Sequence, residues 1–161
     1  MANIIIAGGN KRAARWTEAH GWQNLGTLGG PDSEATAINA LGQIVGSSYT
    51  AAGKRHAFLW TDTDGMRDLG TLGGPVSRAG QEPQGQGLSY TINASEEVTG
   101  SSLTADGQQH AFRWSDAKGM EDLGTLGGTY SEGTNINASG QVTGSSLTAA
   151  GAQHAFRWAS S

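Results

Sequence analysis

Leu25-Gly26-Thr27-Leu28-Gly29-Gly30 returns unchanged at residues 69–74 and again at 123–128. A hexapeptide used three times in 161 residues makes internal repetition the feature that decides the fold. Two further strings keep step with it. His-Ala-Phe-x-Trp stands at 56–60, 110–114 and 154–158, and Ile-Asn-Ala at 38–40, 92–94 and 136–138. Trp16, Trp60, Trp114 and Trp158 are spaced by 44, 54 and 44 residues, so the second full copy carries a ten-residue insertion, placed at 78–87. The first copy is altered: Arg12-Ala13-Ala14-Arg15-Trp16 replaces His-Ala-Phe-Arg-Trp, and Gly21-Trp22 replaces Gly-Met. Ile5–Gly8 is set against Val142–Gly144 of the last copy. The chain reads as a single repeat domain over 1–161, with copies at 3–22 (partial), 23–66, 67–120 and 121–158.

Each full copy predicts four short strands, in the first of them at 35–39, 43–49, 55–60 and 67–72. These runs carry β-branched and aromatic residues and end in Gly, Asn or Asp. No helix finds a place. Four antiparallel strands in about 44 residues is the spacing of a β-propeller blade, so the expected architecture is all-β and propeller-like, with about 3.5–4 blades. Phe and Trp of the His-Ala-Phe-x-Trp run lie two apart and share a sheet face. Trp16, Trp60, Trp114, Trp158, Phe58, Phe112 and Phe156 are therefore the expected core, with Ile38, Ile92 and Ile136 beside them. Three and a half blades are few for a closed ring, which predicts either a small ring or an open arc completed by another chain. Homo-oligomerisation through unpaired terminal strands follows from the second case.

Composition excludes several classes. The net charge of −4, with no basic cluster beyond Lys11-Arg12, offers no footprint for nucleic acid. The absence of cysteine removes disulfides, thiolate catalysis and thiolate metal sites. Neither a signal peptide nor a stretch of membrane-spanning length is read.

The recurring Leu-Gly-Thr-Leu-Gly-Gly, Ile-Asn-x-x-Gly-Gln-Val-x-Gly-Ser-Ser and His-Ala-Phe-x-Trp strings resemble the HAF-repeat family, from about Gln23 to Trp158. The resemblance implies a bacterial repeat protein in an extracellular or cell-surface setting, with no activity attached.

Candidate sites are few. His56, His110 and His154 could gather on a metal, but equivalent residues of neighbouring sheets stand about 10 Å apart, so hydrogen bonds that pin strands are expected instead. Asp62-Thr63-Asp64-Gly65 has the opening of a calcium loop without its closing glutamate and reads as a hairpin turn. No metal or cofactor is called for. Glu34, Glu82, Glu96, Glu97, Glu121, Asp122 and Glu132 are assigned to turns or exposed strand ends. Trp22, Tyr49 and Tyr130, aromatics outside the shared set, could stack on a sugar, and Arg78 and Gln81 of the insertion could join them. The function expected is a non-catalytic scaffold for self-assembly or for multivalent glycan or protein binding. The alternative is a hydrolase or lyase with its site on the propeller axis.

Overall fold

The computed structural model describes residues 2–6, 8–80 and 91–160. Its described residues form fourteen strands and no helix. They group into four antiparallel meanders, here units 1 to 4. Unit 1 holds β1 (Ala2–Ile5), β2 (Lys11–Thr17) and β3 (Gly21–Asn24). Unit 2 holds β4 (Gly29–Ile38), β5 (Ile44–Thr50), β6 (Arg55–Thr61) and β7 (Gly65–Asp68). Unit 3 holds β8 (Gly73–Ala79), β9 (Val98–Thr104), β10 (Gln109–Ser115) and β11 (Gly119–Asp122), and unit 4 β12 (Gly127–Ile136), β13 (Val142–Thr148) and β14 (Gln153–Trp158). Units 2, 3 and 4 are linked by one parallel pair at each junction, Arg55 with Val76 and Gln109 with Tyr130. The expected all-β class holds. The sheets of the described residues, however, run on as an open series and do not curl into a closed propeller.

Strand boundaries differ from expectation at the hexapeptide. The strand foreseen at 67–72 ends at Asp68, and the next begins at Gly73. The physical cause is local: the Asp68 carboxylate accepts the Gly70 N–H at 2.8 Å, and Gly70 turns the chain at φ 77°. The first strand of unit 2 is longer than the 35–39 foreseen. A register shift between the Gly29 and Ser33 pairs carries it past Pro31. The N-terminal alignment also moves. The Gly9 N–H bonds the Ile6 carbonyl at 3.0 Å just as Gly53 bonds Thr50 at 2.9 Å, so Gly9 matches Gly53. Ala2, opposite Ala14, then takes the place of Gly144 opposite Phe156.

Packing is directional. Phe58 and Trp60 of unit 2 are buried with Ile44 against Ala13 and Leu25 of unit 1. Phe112 and Trp114 of unit 3 are buried against Val45, Ala57, Leu59 and Leu69, the opposite face of unit 2. Each Phe/Trp face thus lies on the Ala/Leu face of the preceding unit. Phe156 and Trp158 of unit 4 are only half-buried. Trp16 is 57 % exposed, outside the core expected for it, because no sheet of the described residues covers that face of unit 1. Of the three isoleucines, Ile92 and Ile136 are buried, while Ile38 is 45 % exposed.

In units 2, 3 and 4 the glycine of the second strand is required by contact rather than by dihedral angle. A Cβ on Gly46, Gly100 or Gly144 would stand 1.9, 2.0 or 1.8 Å from the carbonyl oxygen of Glu34, Arg78 or Glu132. This explains the glycine of the recurring Gly-Ser-Ser run.

Candidate functional site

The repeated residues are consumed in holding the units together. Ser33, Ser77 and Ser131 are buried; each accepts the N–H of Ala13, Ala57 or Ala111 at 3.0, 2.9 and 2.8 Å. Each also donates to the carbonyl of Gly26, Gly70 or Gly124 at 2.5 Å. A second serine, Ser48, Ser102 or Ser146, accepts the N–H of Leu28, Leu72 or Leu126 at 2.9 Å. The hexapeptide is therefore held at both leucine-glycine steps. His56 Nδ1 meets Asp68 at 2.8 Å and His110 Nδ1 meets Asp122 at 2.9 Å, each bridging adjacent strands of its own unit.

At the far end of the sheets an asparagine ladder ties unit to unit. Asn39 Nδ2 donates to the Asn93 carbonyl at 2.9 Å, and Asn93 Nδ2 to the Asn137 carbonyl at 2.9 Å. The carboxamide oxygens of Asn39, Asn93 and Asn137 meanwhile cap the turns that follow. Nothing in the sequence reading foresaw this ladder, although Ile-Asn-Ala was its visible trace.

The candidate metal ligands do not come together. Among the described residues no group of three or more His, Asp or Glu converges where a metal ion could be held. Asp62 instead pairs with both terminal guanidinium nitrogens of Arg15, and Arg15 holds its carboxyl below the usual range, more than offsetting the opposing effect of desolvation. Asp64 accepts the hydroxyls of Thr61 and Thr63 at 3.2 and 3.1 Å, as a turn residue does. His154 is exposed at the edge of unit 4.

What remains is a groove that recurs in register. In unit 2 it is a hollow of about 260 Å³ whose walls include Lys11, Asp32, Glu34, Ser47, Tyr49 and Arg55. In unit 3 a hollow of about 220 Å³ has Val76, Arg78, Ser101, Leu103 and Gln109. These correspond one for one: Asp32 with Val76, Glu34 with Arg78, Ser47 with Ser101, Tyr49 with Leu103 and Arg55 with Gln109. The matching residues in unit 4 are Tyr130, Glu132, Ser145, Leu147 and Gln153.

The unit 2 groove is the most highly charged. Glu34, assigned from sequence to a turn or exposed strand end, lies within β4 and is 6 % exposed. Its Oε1 accepts from Lys11 Nζ at 2.6 Å and its Oε2 from Arg55 Nη2 at 3.1 Å. Arg55 Nε donates to Ser47 Oγ at 2.8 Å, and the Lys11 N–H donates to Asp32 Oδ1 at 2.7 Å. Two cations and two carboxylates thus sit in balance beside the half-buried Tyr49 ring. In unit 4 the Tyr130 hydroxyl is pushed up to about 12, by burial first and then by the neighbouring Glu132 carboxylate.

Three of the five residues foreseen as ligand contacts fall on this repeating position: Tyr49, Arg78 and Tyr130. Trp22 does not; it is 58 % exposed and lies opposite Trp16 on the open face of unit 1. Gln81 and most of the insertion lie outside the described residues. Lys11, Asp32, Glu34, Ser47 and Arg55 were missed. For all but Ser47 the available signal was that otherwise near-identical copies differ there.

Compared with family models, with curated proteins and with solved structures, the chain matches none. The likeness to HAF repeats rests on the strings quoted above.

Proposed function

We propose that the chain is a non-catalytic recognition scaffold, which binds a hydroxyl-rich ligand, a glycan, in the row of grooves between its strands. One observation carries this reading: residues identical between copies make the serine, histidine and asparagine contacts that staple the strands and units, whereas four of the five groove positions change at least once between copies, Ser47 alone recurring as Ser101 and Ser145. A constant framework with varied groove residues is the arrangement by which repeat proteins distribute recognition over successive units. The unit 2 groove has the chemistry a saccharide uses, a tyrosine face for the ring and paired carboxylate, guanidinium and ammonium groups for hydroxyls.

The experiment is a glycan array followed by calorimetric titration of any hit. Specific binding is expected, weakened about tenfold or more by Tyr49→Ala and by Arg55→Ala, with circular dichroism unchanged. An array with no signal above background, or binding indifferent to both substitutions, defeats the proposal.

A further inference from the structure

One contact is repeated at each junction between units: an arginine of one unit covers the tryptophan of the next. Arg15 lies over Trp60 at 4.6 Å, Arg67 over Trp114 at 5.0 Å, and Arg113 over Trp158 at 5.6 Å. At the first two junctions the same arginine also reaches an aspartate two residues beyond that tryptophan, Asp62 and Asp116. The two halves of this contact are also displayed, uncovered, on opposite faces of the stack. On unit 1, Trp16 and Glu18 occupy the places of Trp60 and Asp62, and Trp16 is 57 % exposed with Trp22 beside it at 58 %. On unit 4, Arg157 occupies the place of Arg15 and Arg113. It is exposed at the rim of a hollow of about 300 Å³ lined with Ile136, Thr143 and Asn135. In unit 2 the corresponding surface, around Val45 and Leu59, is covered by Phe112 and Trp114.

We infer that the unit 4 face of one copy of this chain receives the unit 1 face of a second copy, head to tail. Trp16 enters the hollow under Arg157, and Arg157 pairs with Glu18. Charge decides the occupant. The junction joins a guanidinium on one face to a carboxylate and an aromatic pair on the other, so each face is complementary to the opposite end of another copy and not to itself. Two like faces would bring Arg157 against Arg157. Such a junction is heterologous, and its products are rings or filaments according to whether the rotation closes.

The test is mass in solution by sedimentation velocity and light scattering over a range of concentrations. Concentration-dependent association is expected. Arg157→Glu, at an exposed position, is expected to raise the dissociation constant about tenfold or more. Trp16→Ala is expected to do the same. Combining Arg157→Glu with Glu18→Arg restores association, since the charges are exchanged across the junction. A chain that stays monomeric at the highest concentration overturns the inference. So does association that neither Arg157→Glu nor Trp16→Ala weakens, or a double variant that associates no better than Arg157→Glu alone.

Discussion

The imidazole of His110 and the carboxylate of Asp122 face each other across adjacent strands, with both Asp122 oxygens 2.9 Å from Nδ1. Asp122 Oδ1 also accepts the Gly124 N–H at 2.8 Å. One carboxylate therefore fixes the histidine and starts the turn into the hexapeptide. His56 and Asp68 repeat the arrangement, and Asn24 does the turn-starting half alone where Arg12 replaces the histidine. His110→Ala is expected to destabilise by about 1 kcal/mol, a modest figure because Asp122 is substantially solvated. Asp122→Ala is expected to cost more, since it removes the turn contact as well. Chemical denaturation of both variants checks the order.

Ser77 offers a sharper test. Its buried hydroxyl is the acceptor for Ala57 and the donor to Gly70 at once. Ser77→Ala leaves one N–H and one C=O without that partner, for an expected loss of about 2–3 kcal/mol. Ser77→Cys, which keeps a weaker donor, should fall between. A denaturation midpoint unchanged in Ser77→Ala would contradict this account.

At Gly100 the constraint is steric. An added methyl would meet the Arg78 carbonyl oxygen at 2.0 Å and the Ala79 Cα at 2.9 Å, both backbone atoms of the paired strand that cannot swing aside as a side chain would. Gly100→Ala is expected to cost about 3 kcal/mol or more. Gly107→Ala has open space around it and only the strain of φ 84°, so it should cost markedly less. The two melting curves decide.

The Asn93 carboxamide connects units 3 and 4 while capping its own turn. Asn93→Ala is expected to lose about 2 kcal/mol. Hydrogen exchange should show early opening at the Asn137 turn, which a purely local role would leave protected.

Tyr130 sets an alkaline limit. Its hydroxyl is raised from 10.0 to about 12 in the folded chain, so the folded state holds that proton more tightly than the unfolded one. The associated stability is fully present below pH 10 and is lost as pH climbs towards 12. Ultraviolet titration should show a late-ionising tyrosine, and Tyr130→Phe should remove that late step. At the acidic end the lowered Asp62 carboxyl works in the other sense: its pairing with Arg15 contributes above the ordinary aspartate range and is lost as pH falls below that range, through the lowered value of the folded chain.

The sequence by itself determined the repeat period, the all-β class and the alternation that buries Phe58 with Trp60 and Phe112 with Trp114. All of these depend on residues close along one strand, whose facing is set by the two-residue pleat. It also carried the strings that the stapling network uses, although not the contacts themselves: Ser77 and Asn93 were not singled out, and His154 is exposed where His56 and His110 meet an aspartate. Only the tertiary structure decided which face of one unit meets which face of the next, and so why Trp16 stands exposed while Trp60, from the same motif position, is buried. The groove belongs to that second category. Lys11, Glu34 and Arg55 come from three strands and two units, and nothing in the local pattern of any one of them encodes the others. Whether the sheets close is decided in the same way, since closure depends on the small rotation added at each junction, a property of side chains packed between sheets rather than of any strand.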